Sequence, residues 1–197
     1  DMNKVISVLI WAGIGGITLG LAPLHFLVSG LSRPFDPQRR VVHYLNALWA
    51  RAILRINPFW KCSWQGLENI DRGQTYVIVS NHQSYGDILM LFGLGIPFRW
   101  VAKKSLFYIP FMGWAMSLAG YIKLERENLA SIRKCVEESV SLLKEGVSVL
   151  MFPEGTRSRD GRVGKFKNGA FRMAIQSQTP ILPVIVAGTR DAIPRGT

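Results

Sequence analysis

The sequence predicts an α/β fold: a mixed, largely parallel sheet covered by helices, preceded by a membrane-associated helical segment. Three observations carry this. Apolar runs at Tyr76–Val79, Val147–Phe152 and Ile181–Ala187 lack polar alternation, as strands buried on both faces do. Amphipathic segments of helical period stand between such runs, and that alternation of elements favours a covered sheet. Ahead of both, Val5 to Leu31 runs for 27 residues without a formal charge. The chain therefore divides into N-terminal helices over 1–58 and an α/β domain over 59–197.

The uncharged block is long enough as a helix to cross a bilayer, which takes about 20 apolar residues. It is long for the apolar region of a signal peptide, and the Ala-Pro and Ser-Gly that follow make a poor cleavage site. Pro23 leaves two arrangements open: one spanning helix, or a helix to about Leu21, a bend and a second, interfacial helix. Lys4 alone precedes the block, whereas Arg33, Arg39 and Arg40 follow it. The positive-inside bias puts the remainder on the cytoplasmic side of an inner or cytoplasmic membrane. Gly16 and Gly20 form a small-xxx-small pair, a spacing also common by chance in glycine-rich apolar segments. His25 is expected to mark a helix end near the headgroups.

Gln38 to Ile56 reads as an amphipathic helix, with Val41, Val42, Leu45, Leu48, Trp49, Ala52 and Ile53 at helical spacing. His43 is expected at a polar or interfacial position on it. Trp49, Phe59, Trp60 and Trp64 suit either a membrane–water boundary or the core. An edge strand is expected at Lys61–Gln65 and a turn at Asp71–Gly73. Tyr76–Val79 then forms a strand, Ile88–Leu94 a helix, Phe98–Ala102 a strand and Tyr121–Leu124 a short one. Asn128 caps a helix carrying Leu129, Ile132, Val136, Val140 and Leu143 on one face, and Gly146 stops it. Val147–Phe152, a helix containing Phe171–Gln176 and the Ile181–Ala187 strand complete the order.

At 197 residues the chain fits one globular α/β unit behind its apolar block. Its 24 lysines and arginines against 13 acidic residues leave a net charge of +11, which suits anionic partners. No nucleic-acid-binding motif accompanies that charge, so a nucleic-acid role is not expected. The two cysteines, Cys62 and Cys135, have no metal-ligand spacing; neither a disulfide framework nor a metal site is expected.

Chemistry-bearing residues stand at strand ends. Behind the first buried strand comes Ser80-Asn81-His82-Gln83-Ser84-Tyr85-Gly86-Asp87. On an unbroken helix His82 and Asp87 would lie about 140° apart, so they meet only if the chain turns between them. A histidine aimed by an aspartate is suited to removing a proton from an alcohol. The same stretch is a capping-box pattern, Ser84-x-x-Asp87, and that role alone would account for the aspartate equally well. Lys103-Lys104 precedes an aromatic, proline-interrupted segment and offers either a cation beside an apolar slot or a surface pair. Phe152-Pro153-Glu154-Gly155-Thr156-Arg157-Ser158 follows another strand, where Gly155 permits close approach and Thr156 and Arg157 offer donors to a phosphate.

Together these residues resemble the glycerolipid acyltransferase family. Asn-His-Gln-Ser-Tyr-Gly-Asp and Phe-Pro-Glu-Gly-Thr-Arg-Ser appear in order. With them come Lys103–Gly113, Gly120–Arg126, Phe166–Phe171 and Pro180–Val184. The resemblance covers about Gly66 to Gly188; one departure is Glu125, where an aspartate is commoner. It implies the glycerol-3-phosphate acyltransferase-like fold and transfer of a fatty acyl group from an acyl thioester to the sn-2 hydroxyl of 1-acyl-glycerol-3-phosphate (lysophosphatidic acid). No cofactor is implied beyond acyl-CoA or acyl carrier protein as co-substrate, with the membrane lipid surface as a further partner. His82 would be the general base and Asp87 its orienter. Arg126, Glu154, Gly155, Thr156 and Arg157 would form the phosphate site, with Lys103 or Lys104 at the oxyanion or donor. No serine or cysteine sits in a nucleophile context, so direct transfer without an acyl-enzyme is expected. The family usually continues past the point corresponding to residue 197, so the sheet or its last helix is expected to be incomplete. Two alternatives stay open: another acceptor, such as glycerol-3-phosphate or another lysolipid, and a non-catalytic protein that binds anionic lipid.

Overall fold

The computed structural model of the chain describes residues 2–57 and 59–193, with side chains from Val8 onward. The expected division at residue 58 and the end of the chain beyond Ile193 lie outside the described residues. Helix α1 (Met2–Ser32) and helix α2 (Arg40–Ile56) pack against each other as a hairpin. α1 continues through Pro23 as one helix, so of the two arrangements considered the broken one does not occur. Among the described residues, nothing beyond α1's own adjoining backbone comes within 4 Å of where a Cβ on Gly16 or Gly20 would stand. The close contact falls at Gly13, where a Cβ would stand 2.2 Å from Cδ1 of Ile56.

Polar groups fasten the hairpin. Trp49 Nε1 donates to Thr18 Oγ1 at 3.1 Å. His25 Nε2 and Asn46 Oδ1 lie 3.0 Å apart, and Asn46 Nδ2 donates to the Tyr121 hydroxyl at 3.0 Å. His25 is thus buried between helices instead of marking a helix end. His43 is also a core residue: its ring packs on Phe92 and Phe98, and Nδ1 accepts from the Phe98 amide. Helical periodicity could not separate these two readings, because the face carrying His43 turns toward the sheet domain and away from solvent. Of the aromatics that suited core or boundary, Trp60 packs on the core and Trp64 donates to Met90 O, while Phe59 stays exposed.

Among the described residues the sheet has five strands: β1 (Val77–Ser80), β2 (Phe98–Lys103), β3 (Ile122–Leu124), β4 (Ser148–Met151) and β5 (Ile181–Val184). Their order is β3-β2-β4-β1-β5, and every pairing is parallel. The expected edge strand at Lys61–Gln65 does not form: these residues pair with no strand of the sheet. Alternation along the strands builds two cores. Ile78, Leu150, Phe98 and Trp100 face the layer of α2 and α3 (Gly86–Leu91). Val77, Val79, Val149, Met151 and Ile122 face α5 (Leu129–Lys144) and α6 (Gly169–Ser177). Helix α4 (Met112–Leu118) lies against α1, and α7 (Thr189–Ala192) against α3.

Because all strands are parallel, their C-terminal ends share one edge. The chain leaves β1 toward β2 on one side and leaves β4 toward β5 on the other, so β1 and β4 flank the switch point of the sheet. Ligand sites of open α/β sheets form in the crevice at such a point.

Candidate active site

The crevice is lined by the two loops that the sequence singled out. At the end of β1, Asn81 exchanges two 2.8 Å hydrogen bonds with the backbone of Val186, which extends the β1–β5 pairing through a side chain. The chain then wraps the fully buried carboxylate of Asp87. Oδ2 accepts from the amides of Gln83 (2.7 Å) and Ser84 (2.9 Å) and lies 2.7 Å from His82 Nδ1. Oδ1 accepts from the Thr189 hydroxyl. The bond from the Ser84 amide is one half of a capping box, so one carboxylate oxygen serves both the helix start and the histidine.

Burial alone would raise the pKa of Asp87. Hydrogen bonds from His82, Ser84, Thr189 and Gln83 outweigh it and hold the carboxyl below its ordinary value. An ionised Asp87 takes its proton-bearing partner from Nδ1, which makes Nε2 the acceptor nitrogen of neutral His82. The ring is held on three further sides. It stacks on Phe152 at 3.8 Å with planes 9° apart. Its amide donates to Glu154 Oε1 at 2.8 Å, and its carbonyl accepts from the Ser158 amide at 2.7 Å. The side chain keeps 14% exposure, enough for a substrate hydroxyl to reach one edge.

The β4 loop is built around Glu154. Its second oxygen accepts the Gly164 amide at 2.8 Å, so the carboxylate ties β1's loop to the far end of its own. Both oxygens are occupied by backbone donors, and a carboxylate repels phosphate; its contribution is to hold the loops. Gly155 adopts φ +76°, a left-handed conformation that glycine takes without strain. Beyond it lies a cavity of about 310 Å³ whose lining holds the cations Arg157, Arg159, Arg162 and Lys165 with Thr156, against the two carboxylates of Glu154 and Asp160. Arg157 stacks on Tyr85, its Cζ 4.0 Å from the ring centre, which anchors a cation of this cavity to the histidine loop.

The other candidates stand further along the edge. Lys103 ends β2, and Lys104 pairs with Glu125 at 3.3 Å. Alternation along β2 puts Lys103 on the face of Val101, opposite Trp100 and the Phe152 ring beneath His82. Arg126 follows β3, three strand spacings from β1, or about 14 Å. His82, Asp87 and residues 154–157 are therefore gathered in one crevice, whereas Arg126 and the lysines flank it. Asn81, Phe152 and Thr189 contact or brace the His82–Asp87 loop without having been assigned a role there. Thr189 lies 102 residues from Asp87, and only its place just past the last strand end could have drawn attention to it.

An aspartate-oriented histidine beside a cavity rich in cations is an arrangement suited to taking a proton from a bound anionic molecule. A family model described as Acyltransferase matches residues 61–187. The chain belongs to the acyltransferase family. It is 45% identical over 165 residues to the chloroplastic 1-acyl-sn-glycerol-3-phosphate acyltransferase LPAT1 of Arabidopsis thaliana, covering 83% of this chain and 46% of that one. A 1-acyl-sn-glycerol-3-phosphate acyltransferase of Chlamydomonas reinhardtii is 37% identical over 197 residues, covering 99% and 59%. The chain thus spans about half the length of the curated relatives it matches. The crystal structure of the 1-acyl-sn-glycerophosphate acyltransferase PlsC from Thermotoga maritima superposes with a TM-score of 0.82 at 28% identity, covering 98% of this chain and 79% of that one.

Proposed function

We propose that the protein transfers a fatty acyl group from an acyl thioester, on coenzyme A or acyl carrier protein, to the sn-2 hydroxyl of 1-acyl-glycerol-3-phosphate, yielding phosphatidic acid for phospholipid synthesis. The observation that carries this reading is the His82–Asp87 pair beside the cationic cavity of the β4 loop; the names of the relatives agree with it. His82 Nε2 takes the hydroxyl proton as the oxygen attacks the thioester carbonyl. The tetrahedral intermediate carries the negative charge on the former carbonyl oxygen. Its collapse breaks the carbon–sulfur bond, and the imidazolium returns the proton to the departing thiolate. Asp87 holds the ring and offsets the positive charge it gains. Thr156 and Arg157 bind the phosphate, Gly155 lets it come close, and Glu154 fixes the loop. Arg126 and the lysines at 103 and 104 reach the parts of the substrates that extend along the sheet edge. α1 attaches the protein to a membrane: Val8–Ser32 has mean hydropathy 1.6 with little of it buried, and Arg33, Arg39 and Arg40 favour the cytoplasmic side.

The test is transfer of a radiolabelled acyl group from both donors to a panel of phosphorylated and neutral lysolipids and glycerol-3-phosphate. Phosphatidic acid is the expected product. His82→Ala should lower the rate about 10²–10⁴-fold with an unchanged circular dichroism spectrum. Arg157→Ala should raise KM for the phosphorylated acceptor and leave that for the thioester. Near-normal turnover by the His82 variant, or trapping of a covalent acyl-enzyme, would overturn the mechanism.

A further inference from the structure

The segment between β2 and α4 turns large apolar side chains outward. Tyr108 is 74% exposed, Phe111 48% and Trp114 51%, with Ile109 and Met112 similarly open. The turn that presents them is tightly built. Met112 N donates to Pro110 O and Gly113 N to Ile109 O, each at 2.7 Å. A Cβ on Gly113 would lie 2.1 Å from the Phe107 carbonyl oxygen, so only glycine closes the turn. Phe111 sits at φ +61°, ψ −56°, a conformation that a bulky L-residue rarely adopts. Strained residues persist where the surroundings impose them and cluster at functional sites. Phe107, in contrast, points inward under the Lys123 ammonium.

We infer that residues 108–114 form a membrane-contacting platform beside the active site, its occupant the headgroup and upper acyl region of a lipid bilayer. Continuity with α1 argues for lipid over a protein partner. Trp114 packs on Phe26 of α1 at 6.2 Å between ring centres and on Phe111 at 5.1 Å, so the platform prolongs the exposed apolar surface of the long helix. Its tyrosine and tryptophan are the aromatics that favour the membrane–water boundary. Lys103 and Lys104, at its N-terminal end, suit anionic headgroups. The platform follows the C-terminal end of β2, on the same sheet edge as His82. A lysolipid can then pass from the bilayer into the crevice without its chain entering water.

The inference rests on the reading of α1 as membrane-attached, and site-directed quenching separates the two. Full-length protein lacking its native cysteines (Cys62→Ser, Cys135→Ala) receives one polarity-sensitive dye through Met112→Cys, Leu19→Cys on α1, or Glu137→Cys on the opposite face of the sheet. Each is bound to vesicles of phosphatidylglycerol and acyl-brominated phosphatidylcholine, and retained acyl transfer verifies the fold. The dye at 112 is expected to be quenched severalfold more than at 137, with the dye at 19 quenched as well. Quenching at 19 but not at 112 overturns the platform alone, and its apolar residues then await a protein partner. Quenching at 112 but not at 19 upholds the platform and removes the α1 reading. Quenching at neither overturns both.

Discussion

Asp87 is a carboxylate with no exposed surface that stays ionised because donors from two separate stretches of chain, residues 82–84 and Thr189, converge on its two oxygens. The hydroxyl of Thr189 is the one contributed from beyond the last strand. Thr189→Val keeps the shape and removes that donor, which should raise the pKa of Asp87 and weaken its hold on the imidazolium. A hydrogen bond to a charged group contributes about 1.5–3 kcal/mol, so kcat should fall about tenfold or more with KM little changed. Thr189→Ser should restore kcat, whereas a merely structural role would lower stability and leave the kcat of the folded protein unchanged. His43 supplies a different titration. Burial, with Arg99 also opposing the charge, lowers its pKa to about 4. Unfolded, it binds a proton below about pH 6.5, whereas folded it stays neutral down to about 4. Its contribution to stability is complete above that range and is lost as pH falls through it, by at most about 3 kcal/mol. Chemical denaturation at pH 7 and pH 5 should show a decline that His43→Gln reduces.

At the scale of elements, local signals and tertiary demands agree in some places and part in others. Helix α5 follows its capping signal, the Asn128 side chain accepting from the Ser131 amide at 3.0 Å, but its buried face centres on Cys135, Ser139 and Leu143 and leaves Leu129, expected on that face, exposed. Asn128→Ala should therefore cost about 1 kcal/mol in denaturation. Helix α3 begins under both influences, since its first-turn carboxylate meets the Ser84 amide and His82 together. The Lys61–Gln65 segment had strand-like composition but pairs with neither open edge of the sheet, and composition alone forms no sheet hydrogen bonds.

At the scale of the molecule, the N-terminal hairpin is joined to the sheet domain through buried polar contacts as well as apolar ones. Asn46 stands between His25 of α1 and Tyr121 at the start of β3. Asn46→Leu leaves both of its partners unsatisfied and should destabilise the protein by about 2 kcal/mol or more. Denaturation in detergent would measure this, with faster proteolysis of the α1–α2 connection as a second readout. The exposed Leu48→Ala should change either measurement much less.

The sequence by itself determined the α/β class, the order of the buried strands, the long apolar helix and the two loops that carry chemistry. Each of these is written in residues close together: an uninterrupted apolar run, a cap, a glycine after a strand. Local sequence also placed a histidine and an aspartate where the chain had to turn. Only the tertiary structure decided that the sheet is wholly parallel and that β4 inserts beside β1, which brings Glu154 against the His82 amide from 72 residues away. It likewise decided that His43 and His25 are buried, that Phe152 lies under the His82 ring and that Thr189 is a further donor to the Asp87 carboxylate. These depend on strand order and on which helix face meets the sheet, and neither is encoded within the span of one element.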